Sequence, residues 1–442
     1  MATLFTTENF GMWTSRFFGA GLARLGRAGA ALTVLGAGLG LGACSNILDV
    51  DYPGRIPAGQ IDDPTLAPVL VNSVIGDFEC AYNNYFAGSS IHSDEFESAN
   101  SNGELAVWGE RGVTSNDDDY AVGGCENGWI SGSGNSSDFG IWVPMQTARY
   151  QAEDVYTRLN GWTDAQVPSR TSLLATVRAY GGYVYALMGE TFCAVSFDKG
   201  SRQEPSAALA LAEQRLAEAI TLAQQAGNTG ILNLARVGLA RTKIDLKKWS
   251  EAQTLAAQVP EGFEKFADRG TENDRRSNKL YYFATVQAAY VVADAYRAIG
   301  TVDPRVQVAD AHKGAFNPTI ELWVQLKYRA MADPIRLASY REAQLLLAEA
   351  KARQGDVPGA LAILNARRAQ VGLAALTAGS PPEAVSAVIE ERRRELVFEG
   401  AHRLNDLLRS GTPWKVGANT YTGRPYGSTT CFPYPTKEAS GA

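Results

Sequence analysis

The sequence predicts a mainly α-helical protein, in which a tetratricopeptide-type helical solenoid supports a large loop-rich, irregular portion. The solenoid is predicted at residues 141–410, where apolar residues recur at helical spacing and short turns separate neighbouring helices. The loop-rich portion is predicted at residues 77–140, which are rich in Gly, Ser, Asn and Asp. Mixed segments at 261–278 and 301–338 interrupt the helices, and residues 411–442 form a C-terminal extension.

The helices are expected in pairs joined by short turns. Gly355 breaks one helix, Asp356 can cap the next, and Gly372 is expected to end it. Earlier pairs are expected at residues 177–188 with 207–226 and at 231–246 with 249–259. Small residues at the predicted helix contacts are Ala240, Ala252, Ala348 and Ala360. Because they let neighbouring pairs share one core, we expect residues 44–442 to form a single large domain.

Residues 1–43 have the organisation of a secretory signal peptide. A positively charged region with Arg16, Arg24 and Arg27 precedes residues 28–43, which carry no charge. This apolar run is too short to span a bilayer as a mature helix. We therefore expect the segment to direct export and then to be removed.

The end of this run resembles a bacterial lipobox. Gly42 and Ala43 leave room for a peptidase, and Cys44 offers a thiol for lipid attachment. Lipidation of Cys44 is therefore predicted, and the alternative is a plain signal peptide cleaved nearby. Translation from Met12 instead of Met1 would give a signal of ordinary length.

The charge of the mature chain argues against nucleic acid as a partner. Removing residues 1–43 takes three arginines and Glu8 from the 41 basic and 47 acidic residues. The remaining 38 basic and 46 acidic residues give a net charge of −8. An acidic surface repels phosphate backbones, so nucleic-acid binding is excluded.

The cysteines other than Cys44 predict two disulfides. They are Cys80, Cys125, Cys193 and Cys431. None lies in a C-x-x-C pair, so the spacing does not favour a metal site, and an even number in an exported chain favours disulfides. Of the possible pairings we prefer Cys80 with Cys125, since both lie in the predicted loop-rich portion, and Cys193 with Cys431.

A dense block of ordered motifs occupies the C-terminal third. Residues 340–350 read YREAQLLLAEA, and residues 391–400 read ERRRELVFEG, followed by Arg403, Asp406 and Arg409. The second run resembles the pattern E-R-x-x-E-L-x-F-E-G-x-R-x-x-D-L-x-R of the SusD/RagB family of outer-membrane nutrient-binding lipoproteins. Many positions agree in order across two helices, so this block is a specific signal.

Further motifs of the same family bracket the mature chain. The similar residues are Cys44, Leu48, Asp49, Val50 and Pro53 at its start, Leu364, Asn365, Arg368, Gly372 and Leu373 before the dense block, and Pro433, Pro435 and Glu438 at its end. The chain departs from the family pattern at Gln370 and Val371, where Arg and Ala are usual. The resemblance implies a SusD-like fold, a lipid anchor on the outer membrane facing the cell surface, and a SusC-like TonB-dependent transporter as partner.

The carboxylates of the charged block have two interpretations. They are Glu391, Glu395, Glu399 and Asp406. Either they are catalytic, or they form buried ion pairs that lock two helices together. Leu396 and Phe398 interrupt the polar run, and Glu390 lies four residues before Arg394, a good spacing for a helical ion pair. We prefer the structural interpretation, which the family resemblance also implies.

The histidines do not predict an enzyme or a metal site. His92, His312 and His402 are the only histidines, and they lack metal-binding helical spacing apart from His92 near Asp94 and Glu95. Residues 117–119 are three aspartates, but without a full calcium-loop pattern they do not predict Ca²⁺ binding. We therefore expect a binding protein without cofactor or metal.

The aromatic residues of the loop-rich portion suggest a sugar-binding face. Rings stack on the apolar C–H patches of a sugar, while neighbouring amides and carboxylates bind its hydroxyl groups. The predicted ligand contacts are Trp108, Tyr120 and Trp129. The alternative is that such rings pin loops to the helical half, which is the role expected for Phe86 and Trp142.

The function predicted from the sequence is capture of a nutrient, most simply an oligosaccharide, and its delivery to a TonB-dependent outer-membrane transporter. Two alternatives from other classes stay open. A tetratricopeptide lipoprotein that scaffolds outer-membrane assembly would share the anchor and the helices. A lipid-anchored glycoside hydrolase would need two carboxylates facing each other across a cleft at about 5–9.5 Å.

Overall fold

The computed structural model describes residues 58–99, 104–116, 120–121, 123–125, 140–400 and 402–439. The predicted signal peptide and Cys44 therefore lie outside the described residues. The chain divides into two compact units, residues 1–60 and 61–442. In the first, the described residues form a short 3-10 turn at Ala58–Gln60. All helices and strands below belong to the second unit.

Helices make up most of the described part of this unit. They are α1 (Ala67–His92), α2 (Glu104–Gly109), α3 (Trp142–Gly161), α4 (Arg170–Thr191), α5 (Pro205–Ala226), α6 (Thr229–Asp245), α7 (Trp249–Ala256), α8 (Lys279–Tyr281), α9 (Asp294–Gly300), α10 (Tyr340–Arg353), α11 (Val357–Gln370), α12 (Pro381–Glu395), α13 (His402–Ser410) and α14 (Thr436–Ala439). A π-helical turn at Tyr282–Val286 continues α8. Within the described ranges, no helix combines the length and apolar character needed to cross a membrane.

The described strands form three small antiparallel sheets, and two of these sheets lie mainly in the segments predicted to interrupt the helices. They are β1 (Phe96–Ser98), β2 (Glu264–Ala267), β3 (Tyr290–Val292), β4 (Val308–Gly314), β5 (Glu321–Gln325) and β6 (Ile335–Ser339). β1 pairs with β3, β2 with β6 and β4 with β5. The β4–β5 hairpin places Trp323 opposite Asp310. These sheets join the helical half to the remainder of the unit.

The predicted helix pairs are confirmed. Asp356 caps α11, because its side chain accepts a hydrogen bond from the Gly359 N–H at 2.9 Å. Gly372 follows α11 with φ 76°, a left-handed conformation that glycine adopts without strain. Helices α4 and α5 approach closely, since a Cβ on Gly182 would lie 2.6 Å from Leu216 Cγ. The four small residues at the predicted contacts, Ala240, Ala252, Ala348 and Ala360, are all fully buried.

The prediction of a loop-rich portion over residues 77–140 was wrong at its start, since α1 extends to His92. Most of the second half of α1 is buried on all sides, so the apolar stripe that marks a surface helix is missing. Its polar residues are satisfied inside the fold. Asn83 donates to the Ser277 carbonyl at 2.7 Å, and Asn84 donates to the Gly140 carbonyl at 2.7 Å.

Two disulfides have the preferred pairing, Cys80 with Cys125 and Cys193 with Cys431. The argument for the first was wrong in one respect, because Cys80 lies within α1 and not in a loop. The second joins the end of α4 to the C-terminal extension. There the Cys193 N–H also donates to the Phe432 carbonyl at 2.9 Å, so the extension is fixed to the helical half.

The carboxylates of the charged block form buried ion pairs, as the structural interpretation predicts. Asp406 accepts from Arg392 at 2.9 Å, and Glu399 accepts from Lys327 at 2.7 Å. The expected helical pair between Glu390 and Arg394 is present at 2.7 Å. These pairs hold α12 and α13 against the rest of the fold, and the acids are therefore structural.

Candidate functional site

The structure places Trp108 and Tyr120 in the interior. Their exposures are 1% and 0%, so these rings do not form the exposed sugar-binding surface that the sequence predicts for them. Their rings lie 5.5 Å and 5.7 Å from the Phe432 ring, measured between centroids. Trp129, the third predicted ligand contact, lies outside the described residues. Trp108 and Tyr120 therefore have the alternative role, in which aromatic rings fix the polypeptide to the core.

The C-terminal extension is what covers these rings. The Tyr120 hydroxyl donates to the Pro433 carbonyl at 3.0 Å, and the Trp142 ring lies 5.5 Å from Tyr434. Phe86 and Trp142, the predicted core residues, are both buried. Because the covering residues follow the covered ones by about three hundred positions, no local pattern reports the contact.

His92 lies beneath this cluster and gives the fold a predicted pH dependence. Burial lowers its pKa from 6.5 to about 4, so the folded chain keeps it neutral where the unfolded chain protonates it. Because the unfolded state then binds more protons, stability falls as pH falls from 6.5 towards 4. Between pH 7 and pH 4.5 the free energy of unfolding falls, and we expect His92→Gln to reduce this fall by about 2–3 kcal/mol. Urea unfolding at pH 7 and at pH 4.5 measures it. An equal pH dependence in both chains would contradict this assignment.

A group of partly exposed aromatic rings lies on the surface next to this cluster. We call it the aromatic face, and it consists of Trp323, Trp414, Tyr421 and Tyr426. Trp323 is on β5, and the others belong to the segment between α13 and the Cys193–Cys431 disulfide. Each of these residues is partly exposed to solvent.

A tight turn presents Tyr421. Asn419 is buried, and its side-chain oxygen accepts from the backbone N–H groups of Tyr421 at 2.8 Å and Thr422 at 3.1 Å. The Asn419 N–H donates to the Arg424 carbonyl at 2.8 Å, and Ala418 pairs with Pro425. An asparagine that satisfies its own turn in this way fixes the backbone beneath the ring.

Two arginines orient the rings in pairs. The Arg297 guanidinium lies 5.3 Å from the Trp323 centroid and 5.9 Å from the Tyr421 centroid, and it donates to the Tyr421 hydroxyl. Arg111 lies 5.2 Å from the Trp414 centroid and 5.4 Å from the Tyr426 centroid. Cations over ring faces attract the π electrons and limit ring rotation.

Buried carboxylates anchor the face from below. Glu97 accepts from the Lys415 ammonium group and from the Thr420 N–H, the latter at 3.3 Å. Glu110 lies 3.6 Å from the Arg424 guanidinium. Both carboxylates belong to residues that are at most 5% exposed. The rings are therefore preorganised before any ligand arrives.

The aromatic face offers stacking surfaces and hydrogen-bond donors side by side. Partly exposed rings can pack on apolar C–H patches, while the arginine and lysine groups beside them can donate to hydroxyl oxygens. Within the described ranges, no group of three or more His, Cys, Asp or Glu side chains could hold a metal ion. Residues 117–119 lie outside these ranges. The arrangement suits binding of a polyhydroxylated ligand.

The residues of this face were missed by the sequence analysis. Residues 411–427 combine aromatic residues with Gly, Pro, Asn and Thr, which is the same composition that drew attention to residues 77–140. That composition was the available signal. The pairing of Tyr421 with Trp323 could not be derived, since it depends on how the extension returns to the β4–β5 hairpin.

Part of the chain matches the model of a known protein family. Residues 329–436 match the family model described as the SusD family. These residues therefore carry the sequence pattern of the SusD family. The matched segment contains the charged block and three of the four aromatic-face residues, and Trp323 precedes it. Among curated proteins, no sequence match is found.

Solved structures of SusD-like proteins share the fold. A SusD homolog from Bacteroides thetaiotaomicron superposes with a TM-score of 0.66 at 15% identity, over 88% of this chain and 98% of that chain. A SusD superfamily protein from Bacteroides vulgatus gives 0.65 at 17% identity, over 86% and 97%. A SusD-like carbohydrate binding protein from Bacteroides vulgatus gives 0.60 at 17% identity, over 79% and 83%. The mainly α-helical SusD-like fold predicted from the sequence is confirmed.

Proposed function

We propose that this protein is a cell-surface lipoprotein that captures a glycan and delivers it to a SusC-like TonB-dependent outer-membrane transporter. The observation that carries the proposal is the aromatic face, whose four partly exposed rings are fixed by Arg297 and Arg111. The match of residues 329–436 to the SusD family and the SusD-like carbohydrate binding protein of the same fold support it.

Capture requires no bond to break. In the proposed complex, sugar rings stack on Trp323 and Trp414, and hydroxyl groups accept hydrogen bonds from the neighbouring guanidinium groups. Preorganised rings lose little conformational entropy on binding, which favours affinity from a small contact area. The energy for import comes from the transporter, so the lipoprotein only has to bind and release.

The carboxylates of a ligand-sized cleft do not favour the glycoside hydrolase alternative. This cleft lies between α10, α11 and α12, and Glu391 and Glu395 line it. Burial alone would raise the pKa of Glu395, but hydrogen bonds from Arg367 and Arg341 outweigh it and lower the pKa. A general acid needs a raised pKa. We therefore propose a role for the protein in binding and not in hydrolysis.

The glycan proposal predicts that the exposed rings carry affinity. We expect Trp323→Ala and Trp414→Ala each to weaken glycan binding at least about fivefold, because each removes a stacking surface. Binding would be screened on an array of plant, host and microbial oligosaccharides and then measured by calorimetry with the tightest binder. Tyr150→Ala is the matched control, since this tyrosine is 60% exposed on α3 outside the aromatic face. Equal affinity in all chains would contradict the assignment of the face.

The membrane proposal depends on Cys44. We expect Cys44→Ser to abolish incorporation of an alkyne-labelled fatty acid and to move the protein from the membrane fraction to the soluble fraction. Protease added to intact cells should degrade the wild-type chain, since the proposed position faces the medium. Protection from protease with lipidation intact would favour the scaffold alternative.

A further inference from the structure

The cleft between α10, α11 and α12 is separate from the aromatic face and has the size of a small-ligand site. Its volume is about 590 Å³, and none of the four aromatic-face residues lines it. Binding sites for small molecules commonly measure about 300–1,000 Å³. The glycan proposal therefore leaves this cleft without a role.

The floor of the cleft consists of two carboxylates that are saturated by arginine. Glu395 binds Arg341 at 2.8 Å, Arg367 at 2.9 Å and Arg305 at 3.3 Å. Glu391 binds Arg305 at 2.8 Å and Arg368 at 2.5 Å. Each guanidinium has more N–H donors than these bonds use. The floor therefore offers a surplus of donors and few open acceptors.

Two of these arginines come from facing walls of the cleft. Arg341 is on α10, its side chain is 49% exposed, and its hydrogen bond among the described residues goes to Glu395. Arg367 is on α11, is 23% exposed and also donates to the Gln370 side chain at 3.2 Å. Because both are bound to the same carboxylate, their guanidinium groups lie close together. Their remaining donors can converge on one acceptor group of a ligand.

The wall beside the arginines is apolar. Phe263, Leu345 and Ile363 line it, and each carries a hydrocarbon side chain. Two acids also line the cleft. Glu264 binds Arg336 at 2.6 Å, which neutralises it, and Glu261 is exposed to solvent, where water and salt screen its charge. The ligand that suits this cleft has a carboxylate at one end and an apolar surface at the other.

We propose that the cleft binds a carboxylate-bearing ligand of about disaccharide size, held by Arg341 and Arg367 against the apolar wall of Phe263, Leu345 and Ile363. A uronic acid sugar and a short peptide with a free C-terminus share this chemistry. Carboxylates accept from two guanidinium groups at once, which gives short and strong charge-assisted bonds.

The test compares two acids with their uncharged counterparts by calorimetry on the detergent-solubilised full chain. The first pair is digalacturonic acid and its dimethyl ester, and the second is N-acetyl-Leu-Leu and its C-terminal amide. We expect at least one acid to bind about tenfold or more tightly than its counterpart. The acid that binds identifies the sugar or the peptide as the source.

Variants locate the binding. Arg341→Ala should weaken the acid about tenfold and still fold, because Glu395 keeps Arg305 and Arg367. Arg329→Ala, an exposed arginine outside the cleft, should bind as wild type. On α11, Ala366 lines the cleft, whereas Ala369 is exposed and does not. Ala366→Trp should therefore block binding, and Ala369→Trp should not.

The proposal fails if neither acid binds more tightly than its uncharged counterpart, or if Ala366→Trp binds the acid as well as Ala369→Trp does. Trp323→Ala should leave acid binding unchanged, since Trp323 belongs to the aromatic face. Loss of acid binding in Trp323→Ala would place the acid on that face and overturn the cleft assignment. A failure of the cleft and a failure of the glycan site are therefore distinguished by different variants.

Discussion

Replacing Arg409 with methionine is expected to destabilise the folded chain by about 3–5 kcal/mol. Its guanidinium binds Glu349 and Asp406, each at 2.5 Å, and lies 3.7 Å from Asp245. The three carboxylate side chains are at most 5% exposed. Removing the cation leaves buried negative charge with too few partners, and desolvated charge without a partner is strongly unfavourable. The measurement is the free energy of unfolding in urea.

A surface arginine and a double variant provide the controls. Arg341→Met should cost less than about 1 kcal/mol, because an ion pair with a partly exposed partner contributes little. Adding Glu349→Met to Arg409→Met should recover part of the loss, since it removes a carboxylate left without its main partner. If Arg409→Met unfolds with nearly the wild-type free energy, buried ion pairing is not what holds α13 in place.

The ion pair between Glu349 and Arg409 also predicts how low pH destabilises the chain. Burial alone would raise the pKa of Glu349, but the Arg409 charge lowers it to about 2. The carboxylate therefore adds stability above its unfolded pKa of about 4.5, and this stability is lost as pH falls towards 2. In Arg409→Met this acid-dependent loss should shrink, because the cation that lowers the pKa is absent.

Removing the disulfide between Cys193 and Cys431 is expected to have the other largest effect. The two cysteines are 238 residues apart, so the bond restricts a large part of the unfolded chain. Loop-closure entropy predicts a loss of about 5.5 kcal/mol for Cys193→Ser with Cys431→Ser. The same change also frees the C-terminal extension, whose Phe432 covers Trp108 and Tyr120. Urea unfolding of the oxidised chains measures the loss.

The other disulfide is the matched control. Cys80 and Cys125 are 45 residues apart. Removing this disulfide is expected to cost about 4 kcal/mol, which is about 1.5 kcal/mol less than removing the disulfide between Cys193 and Cys431. Limited proteolysis should cut the C-terminal extension first in Cys193→Ser with Cys431→Ser and not in Cys80→Ser with Cys125→Ser. A larger loss from the shorter loop would contradict the role given to the extension.

Much of the helical half could be predicted from the sequence. Local signals mark it directly, since Asp356 caps α11, Gly372 ends it, and Trp249 opens α7. Buried alanines such as Ala240 and Ala348 mark the helix contacts. These features depend on neighbours within a few residues, which is the range that a single sequence reports reliably.

Two features of the fold could not be predicted from the sequence. One is a helix that is buried on all sides, and the other is the contact between segments that lie far apart in the chain. The second half of α1 shows no apolar stripe because its polar residues, including Asn83 and Asn84, are satisfied inside the fold. Trp108 and Tyr120 looked like ligand contacts because nothing near them in sequence covers them. The covering residue, Phe432, lies in the C-terminal extension. Composition suggested a binding surface, but only the fold shows which aromatic residues are partly exposed.

We propose above that this protein is a lipoprotein that works with a nutrient transporter at the cell surface. The most direct test of this claim is a pull-down of the tagged chain from native outer membranes in gentle detergent, with identification and quantification of co-purifying proteins. Recovery of a TonB-dependent transporter in near-equal amount is the predicted result. Recovery of periplasmic or assembly proteins without such a transporter would contradict the claim and favour a scaffold function.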